Sequence, residues 1–151
     1  MDRQTLRTYQ DSLERCIARP GFLDRFYELF MASSDEVRAK FARTDFERQK
    51  QEVRASLHIM ALAAEDPARE PERHLKDLAA RHGRHGLDIG ARFYDLWLDS
   101  LLAAVKEFDP EHSPGVGKAW EAVMMVGISY LVSHYNDPPP GPSRTPGTHG
   151  G

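Results

Sequence analysis

Apolar residues recur along this chain at spacings of three and four, the period of helices that each bury one face. The first stripe runs Leu6, Tyr9, Leu13, Cys16 and Ile17. A short aromatic-rich segment follows from Gly21 to Ala32, with Phe22, Phe26, Tyr27, Leu29 and Phe30. Ser34 caps a brief turn, SDEVRAKF, that leads to Phe41. Thr44 and Glu47 form a capping box and open the fourth helix, TDFERQKQEVRASLHIMALAA. Its stripe is Phe46, Gln49, Val53, Leu57, Met60 and Ala64. The fifth helix, from Pro71 to Arg81, carries Leu75 and Leu78 and then His82, and Gly83 ends it. The sixth, from Gly90 to Phe108, carries Tyr94, Trp97, Leu98, Leu101, Leu102 and Val105. The last, from Pro114 to Tyr135, carries Trp120, Val123, Met124, Gly127, Ile128 and Leu131. No useful stretch alternates with period two. The pattern predicts an all-α fold.

Composition bounds the rest. A chain of 151 residues with 40% hydrophobic content is enough for one domain with one core. Half of the 10 prolines fall in the terminal segment DPPPGPSRTPGTHGG, which has no apolar period and little to offset its ordering entropy. The division predicted is therefore a domain at 1–136 and a disordered tail at 137–151, read as a linker rather than a polyproline ligand. A net charge of −3 and a pI near 6.2 argue against a nucleic-acid partner. The single cysteine, Cys16, excludes an internal disulfide and a multi-cysteine metal centre. MDRQTLRTYQ lacks the apolar core of a signal peptide, and the longest apolar run, AVMMVGI, is too short to span a bilayer. A cytoplasmic protein without a membrane partner is expected.

Two polar residues interrupt the apolar stripes. Burying an amide or an imidazole without a partner costs about 1–3 kcal/mol, so Gln49 and His82 each need something to bind. His85, three residues beyond His82, raises the thought of a metal pair, but Gly83 interrupts the helix between them. No second His/Asp/Glu pair is placed to close a zinc site.

The order of parts is more specific than any one of them. FYELFMASSDEVRAKF, a glutamine-bearing helix, LAARHGRHGL, YDLWLDSLL and then AW before a long terminal helix resemble the globin family. Within it the chain resembles the bacterial single-domain globins and the haem domain of flavohaemoglobins, over residues 3–135. The resemblance implies a globin fold, a three-on-three helical sandwich whose D helix is short or absent. It implies haem b, iron protoporphyrin IX, between the fourth and fifth helices, with the iron ligated by His82. Phe41 matches the corner phenylalanine that packs on the porphyrin. Tyr27 matches the second-helix tyrosine of the distal pocket. Gln49 matches the distal residue of the fourth helix, with Val53 one turn deeper; a slip of one turn would put Glu52 or Val53 in that place instead. Leu78, Leu87 and Tyr94 match the proximal wall, and Arg81 a basic residue suited to a haem propionate. The glutamate that completes the proximal His–Tyr–Glu network of flavohaemoglobins has no counterpart near the end of the last helix.

The function this implies is reversible binding of O₂, CO or NO. Iron-bound O₂ gains negative charge, and phenol and amide donors stabilise it. No Gly-rich dinucleotide motif is present, so turnover of NO to nitrate would need a separate reductase to reduce the iron again. A stand-alone gas sensor acting on a partner is the alternative. Whether the chain acts as carrier, enzyme or sensor, and as monomer or homodimer, stays open on the sequence, with Trp97 and Trp120 as candidate dimer contacts.

Overall fold

Residues 1–138 are described by the computed structural model, and they form seven helices and no strand. The tail expected at 137–151 lies almost wholly outside these described residues. The helices are α1 (Arg3–Ile17), α2 (Phe22–Ala32), α3 (Asp35–Lys40), α4 (Phe46–Glu65), α5 (Glu70–His82), α6 (Ala91–Phe108) and α7 (Pro114–Ser133). Between α3 and α4 there is only a turn, as the resemblance implied for the missing D helix. None of the described helices is long and apolar enough to cross a membrane.

Side-chain oxygens set several of the boundaries. Ser34 accepts from the Val37 N–H at 3.0 Å and starts α3 as expected. At α4 the cap is Asp45 rather than Thr44. Its carboxylate accepts from the N–H groups of Glu47 at 3.1 Å and Arg48 at 3.3 Å. A full negative charge at a helix N-terminus interacts with the dipole as well as the orphan donors, so it displaces the neutral hydroxyl one residue earlier. The end of α7 also differs: Tyr135, expected inside the helix, lies two residues beyond it.

The layers are α1, α4 and α5 against α2, α6 and α7, and α7 touches all three helices of the other layer. This is the three-on-three sandwich. At the crossing of α4 and α7, Gly127 lets the helices come close. A Cβ added there would sit 1.9 Å from the sulfur of Met60, so no larger residue fits without moving that side chain. Gly86, in the connection after α5, is a second close approach: its missing Cβ would meet the Arg81 carbonyl at 2.3 Å.

The far end of the bundle is tied by a buried polar network. Trp120, fully buried, donates from Nε1 to the Ser12 Oγ at 2.8 Å, and Ser12 donates to the Asp109 Oδ2 at 2.6 Å. Arg15 forks onto the same carboxylate at 2.7 and 2.9 Å. Trp120 is thereby excluded as a dimer contact. Burial alone would raise the Asp109 carboxyl, but the bonds from Arg15, Ser12 and the Glu111 N–H outweigh it and hold it at about 2.

That depression predicts a pH dependence. A carboxylate held below its ordinary 3.8 contributes stability above that value and loses it as the pH falls toward 2. Asp109→Asn should lower the unfolding free energy at pH 7 by about 2–3 kcal/mol. It should also flatten the loss of stability between about pH 4 and pH 2. Urea unfolding of both proteins across that range measures each effect.

Candidate functional site

The helical period of α5 places Leu75 in the closed core and Leu78 and His82 farther along the same face. There the neighbouring helices stop meeting. A cleft of about 1060 Å³, counting its open mouth, lies against α4, α5 and α6 and extends to α2, α7 and the connection after α5. All nine residues singled out in the sequence line it: Tyr27, Phe41, Gln49, Val53, Leu78, Arg81, His82, Leu87 and Tyr94. Val53, Tyr27 and Tyr94 are buried, Gln49 and Phe41 half-buried, and Arg81 and Leu87 lie on the exposed rim.

The two histidines separate clearly. The Nδ1 of His82 is 2.9 Å from the Leu78 carbonyl one turn back, and donates to it in the tautomer that this contact selects. The Nε2 is then the ring's remaining lone pair. Burial lowers the affinity of this imidazole for a proton, which keeps it neutral and able to act as a ligand. His85 is exposed and borders a different groove, between α5 and the end of α7.

On the α2 side, the Tyr27 ring is held edge-on between Phe26, 4.8 Å away, and Phe46, 5.3 Å away. Its hydroxyl is buried and has no hydrogen bond of good geometry, and neither has that of Tyr94. Burial drives the Tyr27 phenol well above its ordinary range, offset in part by the nearby Gln49 amide. Burial raises the Tyr94 phenol in the same direction. Both are therefore neutral donors facing the cleft. Of the alternatives on α4, Val53 is buried and apolar, while Glu52 also lines the cleft, with its carboxylate 3.5 Å from Arg48. Gln49 is the α4 residue whose amide stands beside the Tyr27 hydroxyl.

Phe30, Ile59, Met60, Phe93, Trp97, Ile128 and Leu131 also line the cleft and were read in the sequence only as helix interior, or not at all. Core and cleft share one apolar face on each helix, so periodicity carries no signal that divides them. Trp97, a candidate dimer contact on sequence, stands here instead, 5.7 Å from Phe26.

Apolar walls, one neutral imidazole with a free nitrogen, a cation on the rim and two orphan phenols suit a flat, largely apolar iron porphyrin. They do not suit a bare metal ion, since among the described residues no three His, Cys, Asp or Glu side chains are grouped to hold one.

Known proteins point the same way. The family model described as Globin matches residues 24–131, a span that includes every sequence-derived cleft residue. Among solved structures, the chain is similar to a protein from Pseudomonas aeruginosa PAO1 described as structurally highly homologous to a human hemoglobin. Identity is 40%, the match covers 87% of this chain and 98% of that one, and the TM-score is 0.81. No curated protein matches the chain.

The orphan hydroxyls make a prediction about the empty fold. A buried hydroxyl without a partner costs about 1 kcal/mol or more. Tyr94→Phe and Tyr27→Phe should each raise the stability of the haem-free chain by about that amount. Denaturant midpoints of the haem-free variants test this, and a loss of stability would show that the hydroxyls are satisfied.

Proposed function

The chain belongs to the globin family, whose members bind diatomic gases at haem, and from that premise we propose that it carries haem b on His82 and binds O₂, CO or NO reversibly. The observation that carries this reading is His82 itself. It is a neutral imidazole in an apolar cleft, with Nδ1 engaged by its own helix and the other nitrogen left free. When bound, the haem supplies an iron atom whose remaining coordination position exchanges gas ligands.

The protein's own groups account for the rest. Phe41, Val53, Leu78 and Leu87 offer apolar surface for a porphyrin, and Arg81 on the rim offers a charge to a propionate. Tyr27, locked by Phe26 and Phe46, presents an O–H donor at little entropic cost. Gln49 adds an amide beside it. A ligand that accepts hydrogen bonds, such as O₂, is favoured there over CO, which accepts them poorly.

The proximal side favours carriage over cleavage of an O–O bond. The His82 Nδ1 bonds a backbone carbonyl rather than a carboxylate, so the ring has little imidazolate character. The Tyr94 hydroxyl relays no charge to it, having no partner of its own. Turnover of NO would need a source of electrons for the iron, and a sensing role a partner that reads the ligand state; carriage needs neither.

Two experiments follow. His82→Ala should abolish stoichiometric haem retention, judged by the Soret band, and added imidazole should restore it. His85→Ala should leave haem content unchanged, because that ring borders another groove; equal haem content in the two variants would refute the ligand assignment.

Stopped-flow dissociation probes the distal donors. A bond to a charged acceptor contributes roughly 1.5–3 kcal/mol, so Tyr27→Phe should speed O₂ dissociation about ten- to a hundredfold while CO dissociation changes much less. Gln49→Leu should act in the same direction more weakly, because its longer side chain loses more rotamer freedom on ordering. A larger effect from Glu52→Leu would move the distal position by a turn.

A further inference from the structure

Residues 83–90, which join α5 to α6, run along one edge of the cleft. Ile89 is buried in the core and anchors the end of the segment, but Leu87 lines the cleft although it is 55% exposed, so apolar burial contributes little to holding the stretch before Ile89. Hydrogen bonds hold that stretch. Three tie the segment to the end of α5: the Gly83 N–H donates to the Ala79 carbonyl at 3.0 Å, and the Leu87 N–H to the Arg81 carbonyl and the Ile89 N–H to the His82 carbonyl, each at 2.8 Å.

The other contacts come from distant parts of the chain. Just past α7, the Tyr135 carbonyl accepts from the Arg84 N–H at 2.8 Å, and the Tyr135 phenol donates to the Asp88 carboxylate. At the end of α3, the Lys40 Nζ donates to the Leu87 carbonyl at 3.2 Å and lies 3.9 Å from Asp88. The same ammonium stands 5.5 Å from the centre of the Phe93 ring, a cleft residue. Asp88 has a φ of 58°, a left-handed conformation that residues other than glycine seldom adopt. Both long-range contacts converge on it.

We propose that residues 83–90 form a strap that retains the cofactor, clasped by Lys40 on one side and Tyr135 on the other, with Asp88 as the shared anchor. The inference rests on the haem reading of the cleft. The strap bears no iron ligand, since His82 belongs to α5. Unfastening it opens the rim at Leu87 without moving the ligand helix. Each clasp is partly solvated and weak, and neither touches the side on which Tyr27 and Gln49 stand. Cofactor exchange is therefore governed separately from gas affinity.

The test measures transfer of haem from the loaded protein to an excess of a haem-scavenging apoprotein. The variants are Lys40→Met, Tyr135→Phe and Asp88→Asn, the last chosen because asparagine tolerates the left-handed conformation. Each of the first two should speed haem loss about three- to tenfold, the scale of one net hydrogen bond. Asp88→Asn, which weakens both clasps, should match or exceed either. O₂ dissociation should stay within about twofold of wild type, since the clasps leave the distal donors in place. In the haem-free chain, amide exchange at Arg84, Leu87 and Ile89 should quicken in the same order. If the wild type holds haem and all three variants release it at the wild-type rate, the strap is overturned. A role in stability alone would show itself the same way, with a lower melting point and unchanged haem loss. If the wild type retains no haem, the cofactor reading fails and the strap's role with it, and the Soret band tells that failure from the first.

Discussion

The close crossing of α4 over α7 is the contact on which the cleft depends. Gly127 has no side chain where Met60 sits, so α4 comes down onto the central helix of the bundle. Helix α7 is also the support for α1, α5 and α6. With α4 and α5 both packed on it, the space left between them has a floor made of Met60, Ile128 and Leu131. A bulkier residue at 127 would drive the methionine toward that space or push the helix away.

An open cleft works against stability in two ways. Its lining forgoes dispersion contacts that a filled core would have, and its two phenols remain without partners. The opposite end of the molecule is built in the contrary sense. Ser12, Arg15, Asp109 and Trp120 satisfy one another inside the bundle, and Tyr9 donates to the Leu57 carbonyl at 2.6 Å. Polar groups are thus fully engaged where nothing needs to bind and left free where a ligand would arrive. That contrast within a single core is what a binding fold looks like in physical terms.

The cleft also separates tasks by helix. Helix α5 orients His82 through its own backbone, so the imidazole's direction does not depend on any distant side chain. Tyr27 and Gln49, the donors of the proposed reading, stand on α2 and α4. The segment after α5 closes the rim and is held from α3 and from the residues past α7. On the proposed reading, such a division would let ligand affinity and cofactor retention vary without disturbing each other.

Much of this was legible along the chain. The helices could be placed because each has a buried face with a 3.6-residue period, and His82 stood out because it falls on such a face where a leucine would be expected. Local chemistry was harder to read: Asp45 and Thr44 can both cap, and only the geometry of the turn decides between them. Gln49, Val53 and Glu52 lie within one turn of each other, and the period assigns a face without fixing which side chain meets Tyr27. Nothing in the apolar pattern marks Asp109 or Asp88. One is buried and the other clasped because Arg15, Lys40 and Tyr135 arrive from far away in the chain. Periodicity is a local property, so the sequence alone determined which face of each helix is apolar. Which apolar residues close into core, and which are left to line a cleft, depends on how near two helices can approach, and only the tertiary structure decided that.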